Sequence, residues 1–206
     1  MSTTAHIFKE DGASEANDGQ IDLLGLSREQ METTLAEIGL PRFRVKQLWH
    51  WIYHHGVRDF YEMTTISKGL QPELAEKFVI SRPGISTEQT STDGTRKWLM
   101  EFTDGKLAEA VHIPEEDRGA VCISSQVGCT LTCKFCHTGT QRLVRNLTPS
   151  EIVGQFMLAR DSYGEWPSSR EPRRLTNIVM MGMGEPLYNF ENIKKGLGII
   201  ICKPMR

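Results

Sequence analysis

Three cysteines within eight residues, Cys129, Cys133 and Cys136 in the run CTLTCKFC, constrain this chain more than any other feature. The spacing C-x-x-x-C-x-x-C puts three thiolates on one short loop, enough to hold three irons of a [4Fe–4S] cubane. The fourth iron is then left open to chelate a small ligand and pass it an electron. Zinc is the alternative. A structural zinc site closes with four N or S ligands, usually as two separated pairs, so His137 or Cys122 would have to join the three. Inert buried thiols are a third reading. A disulfide framework fits poorly, because five cysteines is an odd number and no apolar N-terminal run with a cleavage site leads the chain to an oxidising compartment.

An apolar content of 39% over 206 residues and a formal net charge of −2 predict a cytoplasmic, globular chain with one core and a small accessory domain. The longest apolar runs are too short for a membrane span. Overall charge does not announce a nucleic-acid binder, so that function must rest on local basic stretches.

Residues 1–20 are polar and aperiodic, which predicts a disordered tail. Ser27 followed by Gln30 is a capping-box start, and Met31, Leu35 and Ile38 recur at helical spacing before Gly39. From Pro41 to His55 the run PRFRVKQLWHWIYHH predicts a second helix. Either Phe43, Gln47 and Trp51 or Val45, Trp49 and Ile52 mark its inner face, and Arg42, Arg44, Lys46, His50 and His54 face outward. Such a helix can contact phosphates and stack on bases, or it can bury its aromatics and merely solvate its charges. A third helix is expected from about Ser67 to Phe78.

Pro83 and Gly84 punctuate a change to β structure. Thr95–Phe102 and Lys106–Ile113 flank Asp104-Gly105, which predicts a two-residue hairpin turn with positive φ at both central positions. A strand from Ala120 to Ser125 runs into the cysteine loop. Thr148, Pro149 and Glu151 then supply an N-cap, a first helical position and a capping box, with Ile152, Phe156 and Leu158 as the buried stripe. Thr176–Met181 reads as a buried strand, followed by GMGEP and a helix from about Asn189 that breaks near Gly196 or Gly198. The fold class is α/β. This order is the opening of a parallel α/β barrel, with the cysteines on the loop after its first strand, at the end where such folds keep chemistry.

The run MGMGEP, Met181 to Pro186, follows the second barrel strand. Gly182 and Gly184 would let backbone groups approach a small ligand closely, and Glu185 could accept from an ammonium. The methionine end of S-adenosylmethionine (SAM) asks for those groups. A dinucleotide site fits poorly, because G-x-G-x-x-G is incomplete here.

Taken together, AVCISSQVGCTLTCKFCHTGTQ, TPSEIVGQ, NIVMMGMGEPL, STDGTRKW and PRFRVKQLWHWIY resemble the RlmN/Cfr family of radical SAM RNA methyltransferases over about residues 20 to 195. The resemblance implies a partial parallel (βα) radical SAM barrel preceded by a small α-helical N-terminal domain and a β-hairpin. Its divisions would be a tail at 1–20, a helical RNA-binding domain at 21–82, a hairpin connection at 90–115 and the first part of the radical SAM core at 116–206. It further implies methyl transfer from SAM to carbon 2 of adenosine in 23S rRNA and tRNA, with a [4Fe–4S] cluster and SAM as cofactors and an electron donor such as flavodoxin. The carbon-8 enzymes of the Cfr type are the near competitor, and a non-enzymatic, zinc-stabilised RNA-binding module is the rival of another class.

Carbon 2 of adenine is an electron-poor amidine carbon with no lone pair, so it cannot attack a methyl sulfonium directly. The family's route methylates a cysteine, converts that methyl group to a carbon radical that adds to the ring, and releases the adduct with a base and a second cysteine that closes a disulfide. Residue by residue, the resemblance makes Cys129, Cys133 and Cys136 the cluster ligands and Gly184 and Glu185 the SAM contacts, beside Gly182 of the same loop. It gives Phe135 a role shielding cluster or adenine, makes Cys122 the disulfide-forming thiol and Glu109 the proton acceptor. Cys202 matches no motif for the methyl-carrying cysteine. The ending ICKPMR therefore predicts a truncated or frameshifted product that cannot complete methyl transfer.

Overall fold

The structure is a computed structural model and describes residues 19–116, 118–168 and 171–202. The expected tail falls outside these residues except for Gly19 and Gln20, and the Gln20 amide donates to the Ala75 carbonyl at 2.6 Å.

The N-terminal unit has three helices, α1 (Arg28–Glu37), α2 (Phe43–Tyr53) and α3 (Gln71–Lys77), and a two-residue parallel ladder between β1 (Ile21–Asp22) and β2 (Phe78–Val79). The capping box forms as its spacing requires: the Gln30 N–H donates to Ser27 Oγ, and the Ser27 N–H donates to Gln30 Oε1 at 3.0 Å. On α2 the inner face is Val45, Leu48, Trp49 and Ile52, whereas Phe43 is 52% exposed. Gln47 and Trp51, the other candidates for that face, donate instead to Thr65 in the following loop. Helix α3 begins later than Ser67 because Pro72, which has no N–H, is tolerated only in a first turn.

Four antiparallel strands, β3 (Gly84–Thr90), β4 (Arg96–Glu101), β5 (Leu107–Pro114) and β6 (Gly119–Cys122), form a meander. Beyond it, β7 (Gln126–Val127) pairs antiparallel with β8 (Arg145–Asn146), helix α4 (Pro149–Tyr163) crosses over, and β9 (Asn177–Val179) lies parallel to β6. Helix α5 (Phe190–Ile201) follows. The main sheet runs β3-β4-β5-β6-β9, so the hairpin is no separate connection: it continues directly into the parallel pair. Strand β3 was not legible in the sequence, because every one of its residues is exposed and no apolar alternation marks it.

The Asp104-Gly105 turn differs from its expected form. The Gly105 N–H donates to the Phe102 carbonyl and the Phe102 N–H to the Lys106 carbonyl, with positive φ at Gly105 alone. This is a type I turn closed by a glycine bulge. The Asp104 carboxylate accepts from the Lys106 N–H at 3.0 Å, an alternative to the left-handed backbone a two-residue loop would demand. Ser91–Thr95 repeats the device around Asp93-Gly94.

Alternation sorts the sheet into two faces. Trp98, Met100, Ala108, Ala110, His112 and Val121 are buried on the face that packs with Ile152, Leu158 and Ala159 of α4. Helix α4 also carries Val153 and Met157 into the core of the N-terminal unit, alongside Ile199 of α5. The expected break in α5 does not occur. Gly196 lies where a Cβ would sit 3.0 Å from Ile152, so its lack of a side chain allows close helix packing, and Gly198 faces open space.

Candidate active site

Strand β6 delivers the chain to Ile123–Gln126, the β7–β8 ladder closes the cysteine loop at its base, and the MGMGEP run docks on the same segment. The Ile123 N–H donates to the Val179 carbonyl at 3.0 Å, extending the parallel pairing. The Gly182 N–H donates to the Ile123 carbonyl, the Met183 N–H to Ser124 Oγ, and the Ser125 N–H to the Met183 carbonyl, at 3.1, 2.8 and 2.8 Å.

One buried side chain joins the two loops. Gln126 Oε1 accepts from the Glu185 N–H at 3.1 Å and from the Thr130 N–H at 3.3 Å, while its amide nitrogen donates to Thr130 Oγ1 and Asn146 Oδ1 at 2.9 and 2.8 Å. Ser124 is held as tightly, donating from its hydroxyl to the Glu109 carbonyl at 2.6 Å and exchanging two backbone bonds with the Gln155 side-chain amide. Gln126, Ser124, Ser125 and Gln155 carry no role in the sequence reading. Their signal was present: the polar run SSQ ends an apolar strand, and buried polar groups in that position must find partners.

The glycines are explained by this docking. Gly184 has φ +93°, and a Cβ there would lie 2.6 Å from Gln126 Cβ; a Cβ on Gly182 would lie 2.7 Å from the Ile123 carbonyl carbon. Their missing side chains therefore make room for the 123–126 segment, a packing role the sequence reading did not anticipate. Glu185 accepts from the Leu187 N–H through one carboxylate oxygen at 3.3 Å, capping the short helical turn Pro186–Asn189.

Within the cysteine loop, Cys129 and Cys133 are partly buried and Cys136 is exposed, and all five cysteines of the chain are free thiols. The backbone N–H groups of Gly139 and Thr138, with help from the Thr138 hydroxyl, hold the Cys136 thiol below its ordinary range and favour the thiolate. The Leu131 N–H donates to Cys129 Sγ at 3.4 Å. Soft thiolate donors presented by backbone N–H groups on an accessible loop suit an iron–sulfur cluster. A single zinc ion would need its sulfurs roughly 3.8 Å apart. Among the described residues the three thiols do not converge as a single-ion group, and three histidines elsewhere do. Phe135 is 95% exposed beside the thiols.

Glu109 and Cys122 lie on the sheet face away from α4, together with Lys97, Leu99 and Val111. Cys122 pairs with Val111 and with Val179, so Glu109 is its diagonal neighbour, a relation that spans roughly 7–8 Å between strands. The Glu109 carboxylate is ion-paired with Lys97 at 3.1 Å, and burial pushes the Cys122 thiol up. At the base of the loop, burial works against the charge of Arg145, but the carboxylates of Glu151 and Asp104 outweigh it and hold the guanidinium strongly protonated. A cleft of about 260 Å³ beside that triad reaches Asp22 and Arg82 at the seam with the N-terminal unit, away from the thiols.

The family model described as the ribosomal RNA large subunit methyltransferase N-terminal domain matches residues 21–80. Curated relatives called dual-specificity RNA methyltransferase RlmN are 65% identical over 192 residues in Granulibacter bethesdensis and 66% identical over 188 residues in Gluconobacter oxydans. Along nearly all of its length the chain is similar to RlmN. These alignments cover 91% and 89% of this chain but 48% and 46% of the relatives, so the chain spans about half the length of the curated relatives it matches. A crystal structure of a radical SAM methyltransferase from Sphaerobacter thermophilus superposes with a TM-score of 0.80 at 38% identity, over 89% of this chain and 52% of that one.

Proposed function

We propose that this chain carries the cluster-binding and SAM-binding front of an RNA methyltransferase that modifies carbon 2 of adenosine in 23S rRNA and tRNA through a methyl-cysteine. The observation behind this reading is Gln126, whose single amide bonds to the cysteine loop at Thr130 and to the glycine loop at Glu185. A cluster on one loop and a ligand on the other would thereby be kept in fixed relation.

Cys129, Cys133 and Cys136 would hold a [4Fe–4S] cluster, which when bound supplies an electron to the sulfonium of SAM. Gly182 and Gly184 would bring the loop backbone to SAM, and the free oxygen of Glu185 would accept from its ammonium. Phe135 offers an exposed ring to cover the adenine or the cluster. Cys122, kept protonated by burial, needs a base before it can close a disulfide, and Glu109 would take the ring proton once released from Lys97. The N-terminal unit, residues 21–82, would meet RNA through the outer face of α2, where Lys46 is exposed and Arg42 pairs with Glu32 at 2.9 Å. A flavodoxin-like donor in the cytoplasm and a core beginning near residue 116 complete the reading.

Low-temperature EPR of the anaerobically reconstituted, reduced chain tests it. A [4Fe–4S]⁺ signal that changes on SAM addition is expected, and its loss in Cys136→Ser should follow. A chain that takes up no iron and binds zinc through its thiols would sink the proposal in favour of the RNA-binding module. Nucleoside analysis of RNA methylated by the full-length protein separates carbon 2 from carbon 8.

A further inference from the structure

The last turn of α2 and the two residues beyond it carry His50, His54 and His55. Positions four apart on a helix lie one above the other, and the His50 and His54 rings stack with centroids 4.6 Å apart. His55 folds back after the helix end, its N–H donating to the His50 carbonyl at 3.2 Å, and its ring meets the other two edge-on at 4.7 and 5.0 Å. One ligand atom from each of the three imidazoles lies within 4.8 Å of the others, and the Nε2 atoms of His50 and His55 are 3.1 Å apart.

We propose that His50, His54 and His55 bind a divalent transition metal of the zinc class through three imidazole nitrogens, with an open coordination position for water or an exchangeable oxygen ligand. Imidazole is the donor that zinc, copper and nickel share. Zinc–nitrogen bonds of 2.0–2.1 Å in a tetrahedral site place the nitrogens roughly 3.3 Å apart, close to the separation His50 and His55 already have. A ligand atom of His54 lies within 4.8 Å of both. Its orientation is fixed from outside: Nδ1 is 2.7 Å from Ser168 Oγ, and the Ser168 N–H donates to the His54 carbonyl at 2.7 Å. With Nδ1 donating to that hydroxyl, Nε2 keeps its lone pair for a metal, as outer partners of metal-binding histidines arrange.

Burial first, then His50, His55 and Arg160, hold the His54 imidazole below its ordinary range. Arg160 is the cation nearest in effect, and its guanidinium is taken up by the Trp166 ring at 4.2 Å and the Glu165 carbonyl at 2.8 Å. The site lies on the N-terminal unit and does not depend on how the cysteine loop is read.

Cobalt(II) titration of the full chain, with its thiols blocked by alkylation, tests this directly. One equivalent should bind with the visible d–d bands of nitrogen ligation, zinc should displace it, and zinc should raise the melting temperature. His50 is exposed, so His50→Gln leaves the core intact; it should weaken cobalt binding at least tenfold and abolish the zinc-dependent shift. Unchanged binding in His50→Gln with an unaltered circular dichroism spectrum would overturn the site. So would an absence of cobalt bands in the parent chain, which would leave His50 and His55 as a simple N–H···N pair.

Discussion

Single residues set the relation between the two functional loops. Gly184 combines a left-handed backbone with a Cβ vector aimed at Gln126, while Gly198 sits mid-helix with nothing within 4 Å of its Cβ position. Gly184→Ala should therefore cost about 2 kcal/mol or more, since strain and overlap add. Gly198→Ala should stabilise by roughly 0.5–1 kcal/mol through helix propensity. Urea denaturation of both variants checks the pair, and equal effects would show that the close approach at Gly184 is not rigid. The sequence identified Gly184 as special but assigned it to ligand approach, because a G-x-G pattern does not reveal which neighbour occupies the space of the missing side chain.

Among the elements, β5 carries the most informative titration. His112 is 2% exposed, with Nδ1 2.8 Å from the Tyr163 hydroxyl and Nε2 3.3 Å from the Arg174 carbonyl. Burial, assisted by the nearby charges of Arg174 and Arg96, holds its pKa below the ordinary 6.5. The unfolded chain thus binds this proton first on acidification. The contribution is fully present above about pH 7 and declines as pH falls below 6.5. Stability measured between pH 7.5 and 5.5 should decrease with a slope that His112→Gln reduces; an identical slope in that variant would assign the acid loss to other groups. The capping boxes that start α1 and α4 were legible because each is written in four consecutive residues. Strand β3 was hidden because pairing with β4, not its own side chains, makes it a strand.

For the whole molecule, the division at about residue 82 is less sharp than the sequence suggests. Val153, Met157 and Ile199 belong to the same core as Leu24, Leu48 and Ile52. The N-terminal unit should therefore unfold with the helices of the sheet domain. Met157→Ala should cost about 2–5 kcal/mol. Trp49 reports on the N-terminal unit and Trp98 on the sheet, and fluorescence of single-tryptophan variants should give coincident transitions in denaturant. Separate midpoints would show two independent units.

The sequence by itself determined the elements whose cause is local: the capped starts of α1 and α4, the cysteine triplet, the polar SSQ run and the glycine loop. Caps, turns and ligand spacings act over a few residues, so their physics is contained in a short window. Tertiary structure alone decided that the hairpin and the parallel pair form one sheet, that Glu109 and Cys122 share a face, and that Gln126 ties two loops 59 residues apart between Gln126 and Glu185. It alone brought His54 to Ser168 across 114 residues. Register and buried polar pairing depend on which distant segments exclude water together, and that choice belongs to the packed chain as a whole.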